Sequence, residues 1–240
     1  MIAVILAAGI ASRLRPLTDT LPKPLLPLAG TPLLHRTLDA LHHCGLQHCV
    51  IVTGYYHEMI EQFVQRMGLP LRVRFVFNPR FASTNNNYSL WTASSKVLGQ
   101  EMLLLDADIL FHEEILELLL RSPHDNALVI HRSENLGREE VKVELDSMDR
   151  VVRIGKSLDR KHSAGESLGI EKFSRKATER LFEVLDRRKE RKEFYEASFQ
   201  ELIDRGTDLF AVDAGKRPCI EIDSPEDLKE AERLAQSMVR

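Results

Sequence analysis

Few side chains in this 240-residue chain could do chemistry together, and they lie far apart in sequence: Arg13, Lys23, Asp106, Asp108 and Asp223. The first two belong to residues 6–27, LAAGIASRLRPLTDTLPKPLLP, around which the rest is organised. Leu6 is followed by the small residues Ala7, Ala8 and Gly9, so the backbone can turn tightly and bring its N–H groups close to a ligand. Arg13 and Arg15 add fixed positive charge. In Pro22-Lys23-Pro24 one lysine is held in a stiff, extended frame, because proline fixes its own φ and restricts the residue before it. N–H groups that cradle oxygens, beside cations that neutralise them, suit a polyphosphate. The acids suit its counter-ion. Asp106 and Asp108 follow the apolar run 101–105, and Asp223 follows the run 219–222. Carboxylates at the end of a buried strand are costly to desolvate unless positive charge is supplied. Mg2+ supplies it, taking one or two protein carboxylates together with phosphate oxygens and water. Ser224, Pro225 and Asp227 are explained as the cap, first residue and capping-box partner of a last helix. Asp223 has no such structural reason, and Glu221, on the same strand face, is the weaker candidate.

These residues need a frame. Residues 2–6 read as a buried strand. Residues 31–44 have apolar side chains at helical spacing, with Thr31-Pro32 at the start and Gly45 as the stop. Residues 49–53 predict a second strand, His57–Met67 a second helix, and 71–77 a third strand. That alternation implies a parallel sheet with helices on both faces and ligands at the carboxyl ends of the strands. The opening loop, Tyr55 and the polar loop 78–87 would converge there. A helix is expected over 88–98. Beyond Asp108, residues 127–131, 141–145 and 151–154 read as short strands, followed by 165–170 carrying Glu166, helices over 174–189 and 195–205, and strands over 208–212 and 219–222. The expected organisation is one domain over 1–240, with a nucleotide-binding part near 1–112 and an acceptor-binding part near 113–240.

The composition allows a sizeable core, with 43% hydrophobic and 29% charged residues, and the net charge is −3. The densest basic stretch, Arg187-Arg188-Lys189 with Arg191-Lys192, alternates with acids and reads as a solvated helix face, so no nucleic-acid partner is expected. No signal peptide is evident, nor any apolar run approaching the roughly 18 residues of a membrane span. The expected compartment is the cytoplasm. Cys44, Cys49 and Cys219 form no CxxC pair, so neither a disulfide framework nor a cysteine metal site is indicated. The oligomeric state is not legible.

The opening string resembles the signature LAAGxGxRxxPLTxxxPKPLxPxxGxPL of the nucleotidyltransferases that include the sugar-1-phosphate pyrophosphorylases. Leu6, Ala7, Ala8, Gly9, Arg13, Pro16, Leu17, Thr18, Pro22, Lys23, Pro24, Leu25, Pro27, Gly30, Pro32 and Leu33 match it. Ala11 departs, since the family usually has glycine there, and a slightly altered loop is expected. The resemblance implies a Rossmann-like α/β nucleotidyltransferase fold, a mixed, mostly parallel sheet flanked by helices. It implies Lys23 and Arg13 as catalytic residues and Mg2+ on Asp108 and Asp223, with Asp106 either a further ligand or a turn cap. It places the nucleoside triphosphate against Leu6, Ala7, Ala8, Gly9, Tyr55, Asn85, Asn86 and Ser89.

Residues 85–90, NNNYSL, resemble the NNxYSL string of the phosphocholine cytidylyltransferases, and 165–170, GESLGI, their GExxGI string. The glycine-rich turn of the sugar enzymes is missing at 83–89. The expected nucleotide is therefore CTP and the expected acceptor a small phosphorylated amino alcohol, with pyrophosphate released. Phe194, Tyr195 and Glu196 put rings beside carboxylates; with Tyr88, Trp91 and Glu166, the rings and carboxylates of Tyr195 and Glu196 would surround a cationic head, and Lys156 matches a lysine near the acceptor phosphate. The plainer readings stay open: helical aromatics serve the core, and Lys156 is a solvated strand-end lysine. Two other functions also stay open: a sugar-1-phosphate nucleotidyltransferase using UTP, dTTP or GTP, and a non-catalytic nucleotide-binding regulatory subunit. The last should have lost Lys23, Asp108 or Asp223.

Overall fold

The computed structural model describes residues 1–133, 136–190 and 192–238. Arg191, part of the basic stretch noted above, lies outside them. The first half of the chain runs β1 (Ile2–Ala7), β2 (Pro27–Leu28), β3 (Thr31–Pro32), α1 (Leu33–His43), β4 (His48–Thr53), α2 (His57–Met67), β5 (Arg72–Phe77), α3 (Asn86–Thr92), α4 (Ser94–Val97), β6 (Met102–Asp106) and β7 (Ile109–Phe111). The second half runs α5 (Glu113–Arg121), β8 (Ala127–Arg132), β9 (Lys142–Leu145), β10 (Val151–Gly155), β11 (Gly165–Phe173), α6 (Arg175–Arg188), α7 (Glu196–Asp204), β12 (Phe210–Asp213), β13 (Cys219–Glu221) and α8 (Pro225–Met238).

β1 is buried along its whole length because it is central: β4 and β6 flank it in parallel, and β5 extends the sheet beyond β4. Its alternate side chains feed two apolar layers. Ala3, Ile5 and Ala7 join Leu38, Leu41, Ile51 and Ile115 on one face. Val4 and Leu6 join Val50, Leu104, Phe173 and Phe199 on the other. A strand apolar on both faces is what a central parallel position demands. β11 turns the sheet over. It runs antiparallel to β6 with its second half, to β9 with its first residues, and to β8 along its other edge. Tracing these pairings, β1, β4, β5, β6, β8, β9 and β12 point one way, and β10 and β11 the other. The sheet is mixed and mostly parallel, as expected.

Three local expectations are corrected. Thr31-Pro32 does not open the first helix; Thr31 pairs with Leu28 in the β2–β3 hairpin, and the extended Pro32 leaves Leu33 to start α1. The helix expected over 88–98 begins at Asn86 and breaks at Ala93 into α3 and α4. The strand expected to end at 170 continues to Phe173, because β6 and β8 supply partners to both of its edges. The strands β2, β3 and β7 and the helix α5 were not expected from the sequence. β7 pairs antiparallel with β13, setting Ile109 opposite Glu221, and the Ile222 N–H donates to the Asp108 carbonyl at 2.9 Å.

Candidate active site

That β7–β13 pairing joins two distant acids. Asp108 immediately precedes β7 and Asp223 closely follows β13, and the braced lysine lies between them. Lys23 Nζ donates to Asp108 Oδ2 at 2.8 Å and to Asp223 Oδ1 at 2.9 Å. Arg13 Nη2 donates to Asp223 Oδ2 at 2.6 Å. Lys23 is 6% exposed. Burial alone would lower its pKa, but the Asp108 and Asp223 carboxylates outweigh that and raise it. Burial likewise works against Asp223, and Lys23 with Arg13 holds its carboxyl below the usual range. The local chain explains the lysine's position. Pro22 is extended at ψ 143°, and Lys23–Leu25 then form a single 3-10 turn that buries all three residues.

The acids fit a hard cation. One carboxylate oxygen from each of Asp108, Glu221 and Asp223 can lie within 4.8 Å of the others. Asp108 Oδ1 is buried and accepts no hydrogen bond within the protein. Glu221 is raised to about 8, first by desolvation and then by the Asp108 and Asp223 charges. An all-oxygen donor set with an orphaned buried oxygen is what Mg2+ would satisfy.

A cavity of about 410 Å3 opens over this cluster. It is lined by the β1 loop at Leu6, Ala7, Ala8 and Gly9, by Arg13 and Lys23, and by Asn85, Asn86 and Ser89. Asp106, Asp108, Glu221 and Asp223 line it too, with Lys156 and Phe194 from the second half of the chain. The loop is held open by its own bonds. Ala11 sits at φ 52°, in the left-handed region, and its carbonyl accepts from Thr18 Oγ1 at 2.9 Å. That conformation favours glycine, which accounts for the residue the resembling family carries there. A side chain at Gly54 would collide with Phe81 and the Ala8 carbonyl, so β4 approaches the loop only because Gly54 has none. Tyr55, expected against the nucleotide, is outside the cavity. It buttresses the loop instead, its N–H donating to the Ala8 carbonyl and its hydroxyl to the Thr18 carbonyl.

The acceptor residues divide more sharply. Only Lys156 lines the cavity; its Nζ stands 4.9 Å from the centroid of the Phe194 ring. Tyr195 is 1% exposed, and its hydroxyl donates to Asp106 Oδ2 at 2.6 Å. Asp106 is thereby engaged away from the other acids, and burial followed by the Asp108 charge pushes its carboxyl well above the usual range. Gly169 has φ +65°, and a Cβ there would stand 2.9 Å from Asp106 Oδ2, which gives the GESLGI glycine a packing reason. Glu196 is buried and pushed up to about 7 by that burial, with Lys156 opposing. Glu171, on β11, is fully buried; burial, then Asp106 and Glu196, keep it well above the usual range against a hydrogen bond from Ser167.

Tyr88, Trp91 and Glu166 are not brought to the cavity. Tyr88 and Trp91 pack together at 5.2 Å; Arg80 lies over Tyr88, Lys189 over Trp91, and Trp91 Nε1 donates to Asp186. Glu166 stands 3.7 Å from His131 where β11 meets β8. Phe194, read in the sequence with Tyr195 and Glu196 as a ring beside carboxylates, lines the cavity, and so does Phe81, which sequence reasoning passed over. Among the described residues, no helix is long and apolar enough to cross a membrane.

Residues 3–200 match the family profile described as MobA-like NTP transferase domain. A CMP-5'-(3-aminopropyl)phosphonate synthase of Streptomyces rubellomurinus is 36% identical over 130 residues, covering 54% of this chain and 20% of that protein. A choline-phosphate cytidylyltransferase of Haemophilus influenzae is 32% identical over 154 residues, 64% of this chain and 62% of that one. These matches span less than two thirds of the curated relatives' own length. In fold, the inositol-1-phosphate CTP transferase from T. maritima superposes with a TM-score of 0.85 at 23% identity, covering 99% of this chain and 95% of that one. The chain belongs to the MobA-like NTP transferase family.

Proposed function

We propose that this nucleotidyltransferase is a Mg2+-dependent cytidylyltransferase, moving CMP from CTP to a small phosphorylated acceptor with an amino or trimethylammonium head. The observation that carries the reading is the charge cluster: Lys23 bonded at once to Asp108 and Asp223, with Arg13 on the outer oxygen of Asp223. It stands beside a small-residue loop at the end of β1, where N–H groups can meet phosphate oxygens.

The chemistry asks little of proton transfer. A phosphate monoester loses its second proton near about pH 6, so the acceptor oxygen is already an anionic nucleophile. That oxygen bonds to the α-phosphorus as the α–β bridging oxygen departs with pyrophosphate. The obstacle is gathering anions, and the residues answer it by position and charge. Arg13, 61% exposed along its side chain, would hold the β- and γ-phosphates. Lys23 would bear on the α-phosphate as charge grows there; its two carboxylate bonds keep it protonated and centred beforehand. Asp108, Asp223 and Glu221 would hold Mg2+, which when bound supplies positive charge at the phosphates. Lys156 and Phe194 would face the acceptor.

Base and head group rest on other support. Residues 85–90 and 165–170 resemble strings of the phosphocholine branch, and the relatives above are cytidylyl enzymes by name. Behind Phe194 and Tyr195, the acids Asp106, Glu171 and Glu196 favour a positively charged head over a neutral one. The test is pyrophosphate release over a matrix: four nucleoside triphosphates against phosphocholine, phosphoethanolamine, 2-aminoethylphosphonate, inositol 1-phosphate and glucose 1-phosphate. Release is expected with CTP and an amino-alcohol phosphate or phosphonate. Robust turnover of glucose 1-phosphate with UTP or dTTP, and none with CTP, would replace this reading with the sugar-nucleotide one.

A further inference from the structure

Three consecutive asparagines reach across to the second half of the chain. Asn85 Nδ2 donates to the Lys192 carbonyl at 3.2 Å. Asn86 Oδ1 accepts from the Tyr195 N–H at 2.9 Å. Asn87 Oδ1 accepts from the Ser198 hydroxyl at 2.7 Å, and its Nδ2 donates to the Arg188 carbonyl at 3.5 Å. Asn87 and Ser198 are wholly buried, so their bond belongs to the core. Asn86 differs. It lines the cavity, and among the described residues nothing in the protein pairs with its Nδ2.

The residue Asn86 holds is fixed at its other end too, because the Tyr195 hydroxyl donates to Asp106 and the ring between is buried. With both ends of Tyr195 anchored, the backbone one residue earlier is anchored as well. That residue is Phe194, which is 47% exposed and lines the cavity beside Lys156.

We infer that Asn86 is a two-ended positioning residue. Its Nδ2 donates to the nucleotide, while its Oδ1 keeps Tyr195, and through it Phe194 and Lys156, in place for the acceptor. The inference rests on the nucleotidyl-transfer reading and extends it to how one side chain serves the sites of both substrates. A side-chain amide carries donor and acceptor on one rigid plane, so engaging one end orients the other.

Two variants separate the ends. Asn86→Ala removes both, and Asn86→Asp keeps an oxygen for the Tyr195 N–H while removing the donor. Steady-state kinetics would use CTP and whichever of phosphocholine and 2-aminoethylphosphonate the wild type turns over faster. For Asn86→Ala the acceptor KM is expected to rise about five- to tenfold, the scale of one net hydrogen bond, together with the nucleotide KM. For Asn86→Asp the acceptor KM should stay within about twofold of wild type, well inside that scale, while the nucleotide KM rises. An acceptor KM raised equally by both variants, or left unchanged by Asn86→Ala, overturns the inference while the function stands. If the wild type uses another nucleotide–phosphate pair, the same split is read with that pair. A wild type inactive on every pair overturns both.

Discussion

Two groups of acids lie at the end of β6, and they differ in company. Lys23 bonds Asp108 and Asp223, Arg13 bonds Asp223, and Glu221 stands beside them. Asp106 accepts from the Tyr195 hydroxyl, Glu171 is buried near it, and Glu196 feels the more distant charge of Lys156. The consequence is opposite titration for Asp223 and the second group, while Glu221, bonded to neither cation, is pushed up to about 8. Lys23 and Arg13 hold Asp223 low against burial, whereas burial pushes Asp106 and Glu171 well above the usual range and Glu196 to about 7. A carboxylate beside fixed cations stays ionised and can exchange them for a ligand's counter-ion. A buried carboxyl without them holds its proton until positive charge arrives. The first group is suited to standing charge, the second to a cation that comes and goes.

The comparison breaks most visibly at Asp108. Asp108→Asn should reduce turnover to background with the fold retained, seen as a cooperative melt alongside a null pyrophosphate assay. A turnover loss of less than about tenfold would remove the acid from the centre. Next comes Lys23→Ala. Acting on charge that develops in the transition state, its loss should lower kcat by about two to three orders of magnitude, the scale of losing one preorganised charge partner. A change confined to the triphosphate KM would show that Lys23 only binds.

Glu196→Gln sharpens the other side. A carboxyl raised from 4.5 to about 7 gives stability that is fully present below 4.5 and lost as pH rises through 7. Wild type should therefore lose more melting temperature across that window than the variant, which keeps only the loss due to the other raised carboxyls. The difference should be near zero at pH 4.5 and reach a plateau above pH 7.5. Parallel curves would mean that Glu196 is not held protonated. The smallest effect is expected at the loop. Ala11→Gly relieves a left-handed alanine at φ 52°, so the unfolding free energy should rise by about 0.5–1 kcal/mol with kcat little changed.

The two groups also differed in how far the sequence disclosed them. The loop at residues 6–13, Lys23 and Asp108 were legible because phosphate binding needs neighbouring N–H groups and a braced cation, and both are local. Asp223 was legible by subtraction, since its neighbours Ser224 and Asp227 bond each other as a cap. Of the strands that join Asp108 to Asp223, β13 was expected, but β7 is three residues long, too short for a period to show, and their pairing has no local signal. On the acceptor side, composition pointed to rings and acids, but only tertiary packing decides which ring is open. Tyr195 is 1% exposed and Phe194 47%, although they adjoin. Tyr88 and Trp91 belong to a helix whose outer face is taken by α6, about a hundred residues away, and no periodicity within α3 announces that partner.

The central claim is that the charged centre transfers a nucleotidyl group. Label from [α-32P]CTP should pass, with Mg2+, into a product that also contains phosphocholine or 2-aminoethylphosphonate, while label from [γ-32P]CTP leaves as pyrophosphate; EDTA should stop both. The account is contradicted if the α-label remains in CTP or emerges only as free CMP with every acceptor.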